Sequence, residues 1–141
     1  MRSAIRTALT ALIVFLCIAG VVASGLALGE HYNTKPSPCS INDKWDCGIV
    51  NHSPYAMLRG IPVALIGSVG YALLAALAGR LPRTTALMAL FALFFSLRLT
   101  WIEWKMLGVW CIYCVSSQGI IACVFLLAVL AAMLSPRRMR S

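Results

Sequence analysis

The chain has 141 residues, 61% of them hydrophobic and 11% charged, with a mean hydropathy of +0.88. That balance excludes an ordinary soluble domain and marks an integral membrane protein, a single domain over 1–141 with no room for a second. The net charge of +8 calls for no nucleic acid, because the arginines gather at helix ends rather than along an aromatic-interleaved face.

Four apolar stretches are long enough to span a bilayer, since about 20 helical residues at about 1.5 Å each cover its hydrocarbon core. The first is residues 7–29. Arg2, Arg6 and the small residues of VVASG (Val21–Gly25) also suit a signal peptide. Its apolar run exceeds the roughly 7 to 15 residues of a signal core, however, so it reads as a retained helix.

The loop over 30–60 contains the one sizeable polar segment, KPSPCSINDKWDCGIVNHSPYAMLRG (Lys35–Gly60). Seven residues separate Cys39 from Cys47, with Asn42, Asp43 and Lys44 offering turn chemistry between them. A local disulfide is sterically easy there, as a loop staple or as an exchanging pair. Ser53 before Pro54 reads as an N-cap with proline at the first helical position. A short amphipathic helix starting there would lie at the membrane surface and roof a cavity between the spans. His31 and His52 read as interfacial polar residues.

The second and third spans fall at 61–79 and 84–104, broken by GRLPRTT (Gly79–Thr85). Arg98 and Glu103, near the outer end of the third, read as a local ion pair or as snorkelling side chains. The fourth span, 111–134, opens on GVWCIYCVSSQG (Gly108–Gly119) and ends at SPRRMRS. Its CxxC sets Cys111 and Cys114 on one helical face near the positive end of the dipole, where a thiolate is favoured and a disulfide is labile. Gln118 shares that face, either presenting an amide to a ligand or bonding a neighbouring helix. Cys17 and Cys123 read as small buried apolar residues. Zinc is disfavoured, because the two cysteine pairs lack the close spacing of structural zinc motifs.

With four spans, both termini and the 80–85 loop share one side. That side carries Arg2, Arg6, Arg80, Arg83, Arg137, Arg138 and Arg140 and no acid, so the charge divides into +7 there and +1 elsewhere. The cation bias predicts cytoplasmic N and C termini and puts both cysteine pairs on the extracytoplasmic face of a cell inner membrane. In bacteria that face is kept oxidising.

The order Cys39, Cys47, Ser53, then GIPVALIGSVGYALL (Gly60–Leu74), then WCIYC (Trp110–Cys114) resembles the vitamin K epoxide reductase family, its bacterial members in particular, over about residues 7–134. The resemblance implies an all-α membrane protein, a four-transmembrane-helix bundle with a short extracytoplasmic half-helix or loop between helices 1 and 2. It implies a quinone, ubiquinone or menaquinone, as electron acceptor. Cys111 and Cys114 would be the reactive pair and Cys39 and Cys47 the shuttle, with Cys39 meeting a partner thiol, Cys47 passing electrons to Cys111, and Cys114 the thiolate beside the ring. Ser53 would lie in the quinone pocket. Animal members carry a tyrosine where this chain has Gln118 and a pocket asparagine where it has an apolar residue near Val63. Those differences favour a bacterial-style quinone over vitamin K epoxide. Many bacterial members carry a fused thioredoxin-like domain after the bundle, whereas this chain reaches only Ser141. The expected partner is therefore a separate periplasmic DsbA-like thioredoxin-fold protein.

Three other readings predict different behaviour. A DsbB-type oxidase does the same work, but its CxxC lies in the first outer loop, whereas here the wider pair comes first. A structural protein with disulfide-braced outer loops predicts cysteine variants that lose stability and have no redox activity to lose. A metal-handling protein predicts stoichiometric metal.

Overall fold

The computed structural model describes residues 1–136, so Arg137, Arg138 and Arg140 of the charge argument lie outside the described residues. Helix α1 spans Arg2–Tyr32, longer at both ends than the predicted 7–29, and stops at Asn33, whose backbone is extended ahead of Pro36. Helix α3 is Val63–Leu77. Helix α4 is Pro82–Ile102, with proline in its first turn, and it continues as a π-helical turn over Glu103–Leu107. Gly108, at φ 67°, closes that turn, and its N–H reaches the Glu103 carbonyl at 2.8 Å. Helix α5 is Ile112–Leu134.

These helices pack into an all-α bundle in which α1 lies against α3 and α5, and α5 against α4, while α3 and α4 meet sparsely. Ile13 and Cys17 of α1, Leu74 of α3, Ala89 of α4 and Val124 of α5 form its core. Small residues allow the close approach that helix packing in lipid depends on. A Cβ at Gly20 would stand 2.5 Å from the Tyr71 ring, so glycine there admits the ring, and the Tyr71 hydroxyl then donates to the Ser117 carbonyl at 2.8 Å. Phe91, Phe94, Leu126 and Met133 face outward, an apolar exterior suited to lipid. Cys123 also faces outward, which corrects its reading as a buried residue; only Cys17 lies in the core.

Helices α1, α5 and α4 with its extension are long and apolar enough to cross a membrane. Helix α3 has 15 residues, about 22 Å at 1.5 Å each, against a core of about 30 Å. It is shorter than the predicted 61–79 because residues 57–62 form a small hairpin. Strand β1 (Met57–Leu58) pairs with β2 (Ile61–Pro62), matching Met57 to Pro62 and Leu58 to Ile61. Arg59 and Gly60 turn between them at φ 50° and 83°, the doubly left-handed turn that suits the strand twist.

A short helix between the first two long ones is present, but it begins earlier than Ser53. Helix α2 spans Cys47–His52, capped by Asp46, whose carboxylate accepts from the Ile49 N–H at 3.1 Å. Ser53 does precede a 3-10 turn, Pro54–Ala56, but its hydroxyl donates back to the Val50 carbonyl at 2.7 Å and caps nothing ahead of it.

Candidate redox site

A short backbone bridge joins the loop to the start of α5. The Asp46 N–H reaches the Trp110 carbonyl at 3.0 Å, and the Trp110 N–H reaches the Lys44 carbonyl at 2.7 Å. This pairing aligns residues 44–46 with Trp110, and so brings Cys47, the next residue on one side, toward Cys111, the next on the other. Cys39 and Cys47 are joined as a disulfide, with Cα atoms 5.5 Å apart, inside the usual range for such bridges. Cys111 and Cys114 are free thiols. Cys39, Cys47 and Cys111 share one buried cluster with Val50 and Val109, and Cys114 packs against it. Two pairs that lie far apart in sequence are thus gathered in one place.

Two polar side chains enter this cluster. Asn51, 5% exposed, donates from Nδ2 to the Cys47 carbonyl at 2.8 Å and to the Cys111 sulfur at 3.5 Å. Glu103, 4% exposed, accepts the Cys111 N–H at 3.2 Å through Oε2. Arg98 is exposed while Glu103 is buried, and the two form no salt bridge, so of the two readings, ion pair or snorkelling, the ion pair is not realised. Cys111 precedes the apolar helix, and a hydrogen bond from the Cys114 thiol lowers its pKa against the opposing effect of burial. That bond favours the thiolate form of Cys111.

Beneath α2 and the 3-10 turn lies a cavity of about 430 Å³, bounded by α3 on one side and α4 on the other. Its wall is mainly apolar and aromatic, with Tyr71, Phe95 and Leu99 prominent, and Cys114 and Glu103 reach it beside the thiol cluster. Ser53 and Val63 line it, as does His31, whose Nδ1 meets the Asn51 carbonyl at 2.6 Å. Gln118 does not. Its amide oxygen accepts from the hydroxyls of Ser96 and Thr100, so the structure realises the helix-to-helix bond rather than an amide offered to a ligand. Sequence reading passed over Asn51 and gave Glu103 only a structural account, as an ion pair or a snorkelling side chain. Asn51 sits one helical turn after Cys47, a spacing that signals a shared face, and Glu103 is an acid near the end of an apolar helix, a functional signal in its own right.

The sequence model of the Vitamin K epoxide reductase family matches residues 11–129, which include both cysteine pairs and the cavity. The chain belongs to the vitamin K epoxide reductase family. No curated protein matches it. As a member of the vitamin K epoxide reductase family it is a membrane thiol–disulfide oxidoreductase, and the family is quinone-linked in general. The thiol cluster is where such chemistry has its reactants: one disulfide, two thiols, and an apolar cavity that one of those thiols reaches.

Proposed function

We propose that this protein passes electrons from a periplasmic thioredoxin-fold, DsbA-like partner through Cys39 and Cys47 to Cys111 and Cys114, and on to a membrane quinone, so supporting disulfide formation in exported proteins. The observation that carries this reading is the gathering of all four cysteines at one end of an apolar cavity that Cys114 lines. A staple would need only the outer pair.

The cavity suits a quinone. Its volume lies in the range of small-molecule sites, roughly 300 to 1,000 Å³, and its wall is aromatic and apolar with Tyr55 and Tyr113 among the polar groups. Helices α3 and α4 bound the cavity and meet sparsely, and a ligand dissolved in lipid would enter between them. A bound quinone supplies an acceptor for two electrons and two protons, which are what two thiols lose on forming one disulfide. Asn51, touching both the Cys47 backbone and the Cys111 sulfur, steadies the two partners of the internal exchange. In the topology we propose, α3 is a fourth span completed by its flanking hairpin and turn. The termini are cytoplasmic and the cysteines lie at the outer face of the inner membrane, following the cation bias.

The test uses purified protein with water-soluble ubiquinone and menaquinone analogues and a reduced DsbA-like protein as electron donor. Quinol should form, and Cys111→Ser or Cys114→Ser should abolish it; unchanged quinol formation in Cys114→Ser would sink the assignment. Cys39→Ser should block oxidation of the protein donor while a small dithiol is still oxidised, and equal loss with both donors would argue against separate roles for the pairs.

A further inference from the structure

Glu103 is a carboxyl in the wall of the cavity at the thiol pair, and among the described residues it has no salt-bridge partner. One interaction is structural: Oε2 accepts the N–H of Cys111, the residue just before α5, and so ties the start of that helix to the end of α4. A neutral amide would serve there equally well. The carboxyl also lines the same cavity as the Cys114 thiol, beside the Cys111 N–H that it holds. The other titratable groups of the wall are otherwise placed. His31 of α1 meets the Asn51 carbonyl and Tyr71 of α3 meets Ser117. Tyr55 of the roof and Tyr113 of α5 present the remaining phenols of the wall. On Glu103's own turn, Lys105 lies over the Trp104 ring at 4.3 Å.

We propose that Glu103 is a catalytic proton carrier of the inner pair, taking the Cys114 thiol proton as the Cys111–Cys114 disulfide forms and releasing it into the cavity. This rests on the quinone reading above. In the step, the Cys114 sulfur loses its proton to the Glu103 carboxylate, the bond between the Cys111 and Cys114 sulfurs forms, and two electrons leave to the quinone. Glu103 hands its proton to one quinone oxygen and returns to carboxylate. The other oxygen takes its proton from water, matching the one Cys111 released on becoming a thiolate. When Cys47 later opens the inner disulfide at Cys111, the departing Cys114 sulfur regains a proton along the same path.

Glu103→Gln keeps an acceptor for the Cys111 N–H and cannot carry a proton. The full-length protein, reduced with a small dithiol and freed of it, is mixed with a water-soluble ubiquinone analogue. Quinol formation is expected to be about 100-fold slower in Glu103→Gln, within the usual reach of general acid–base catalysis, and partly recovered in Glu103→Asp. A second readout needs no quinone: alkylation of Cys114 by iodoacetamide against pH, read by peptide mass. Loss of the carboxylate charge favours the thiolate, so the Gln variant should be alkylated at lower pH than wild type while it turns over more slowly. Wild-type turnover in the Gln variant, equal losses in Gln and Asp, or an unmoved alkylation profile overturns the role of Glu103 alone. A wild-type protein that forms no quinol overturns the quinone reading and the inference with it.

Discussion

Asn51 joins the two cysteine pairs through one amide group, and its loss is expected to be felt at both. In Asn51→Ala the Cys111 sulfur loses a donor worth about 1.5 kcal/mol or more when the acceptor is charged, equivalent to roughly a tenfold slower transfer between the outer and inner pairs. Rapid-quench trapping of the disulfides after addition of a donor measures it. The thiol of Cys111 gives a second check. Because the bond from Cys114 lowers its pKa, removing that donor in Cys114→Ala should move formation of the Cys111 thiolate, followed by its ultraviolet absorbance, to higher pH. The two cysteine pairs could be picked out in the sequence because their spacing marks them without any knowledge of contacts. Asn51 and Glu103 could not, since what distinguishes Asn51 is a sulfur sixty residues away, and what distinguishes Glu103 is a fold that turns it inward while Arg98 faces out. Gln118 is a third case. The sequence offered its amide either to a ligand or to a neighbouring helix, the hydroxyls of Ser96 and Thr100 claim its oxygen, and only the packing of α4 on α5 decides between such partners.

Among the elements, long apolar periodic runs announced α1, α4 and α5 to within a few residues, because lipid tolerates little else at that length. The loop was harder. Its helix depends on Asp46, a cap with no capping-box partner, and its hairpin on a left-handed Arg59, a residue with no preference for that conformation. The joint between α4 and α5 depends on another left-handed residue, Gly108. Gly108→Ala is expected to cost about 1 to 2 kcal/mol and, by shifting the turn that carries Glu103, to slow quinol formation as well. Gly20 is a packing constraint instead: in Gly20→Ala the new methyl meets the Tyr71 ring, and a loss of about 1 to 3 kcal/mol should appear as a lower unfolding temperature in detergent, with the thiol chemistry of the remaining folded fraction retained.

At the scale of the whole molecule, orientation is the property to measure. Cysteines introduced at two exposed positions, Lys44 in the loop and Arg83 at the start of α4, should report opposite faces: in intact bacterial cells a membrane-impermeant maleimide is expected to label Lys44→Cys and leave Arg83→Cys unlabelled until the cells are opened. Labelling of both from outside would reverse the proposed topology. The bridge between Trp45 and Trp110 bears on how the chain acquires this architecture. It links the loop to a segment that follows α3 and α4 in the chain, and the loop's own elements, a six-residue helix and a hairpin with two-residue strands, are too small to persist alone. During biosynthesis the roof of the cavity must therefore wait for the last helix to arrive. The redox centre is complete only once the start of α5 is in place, and a chain arrested before Trp110 would hold its first cysteine pair without the surroundings that give it a function.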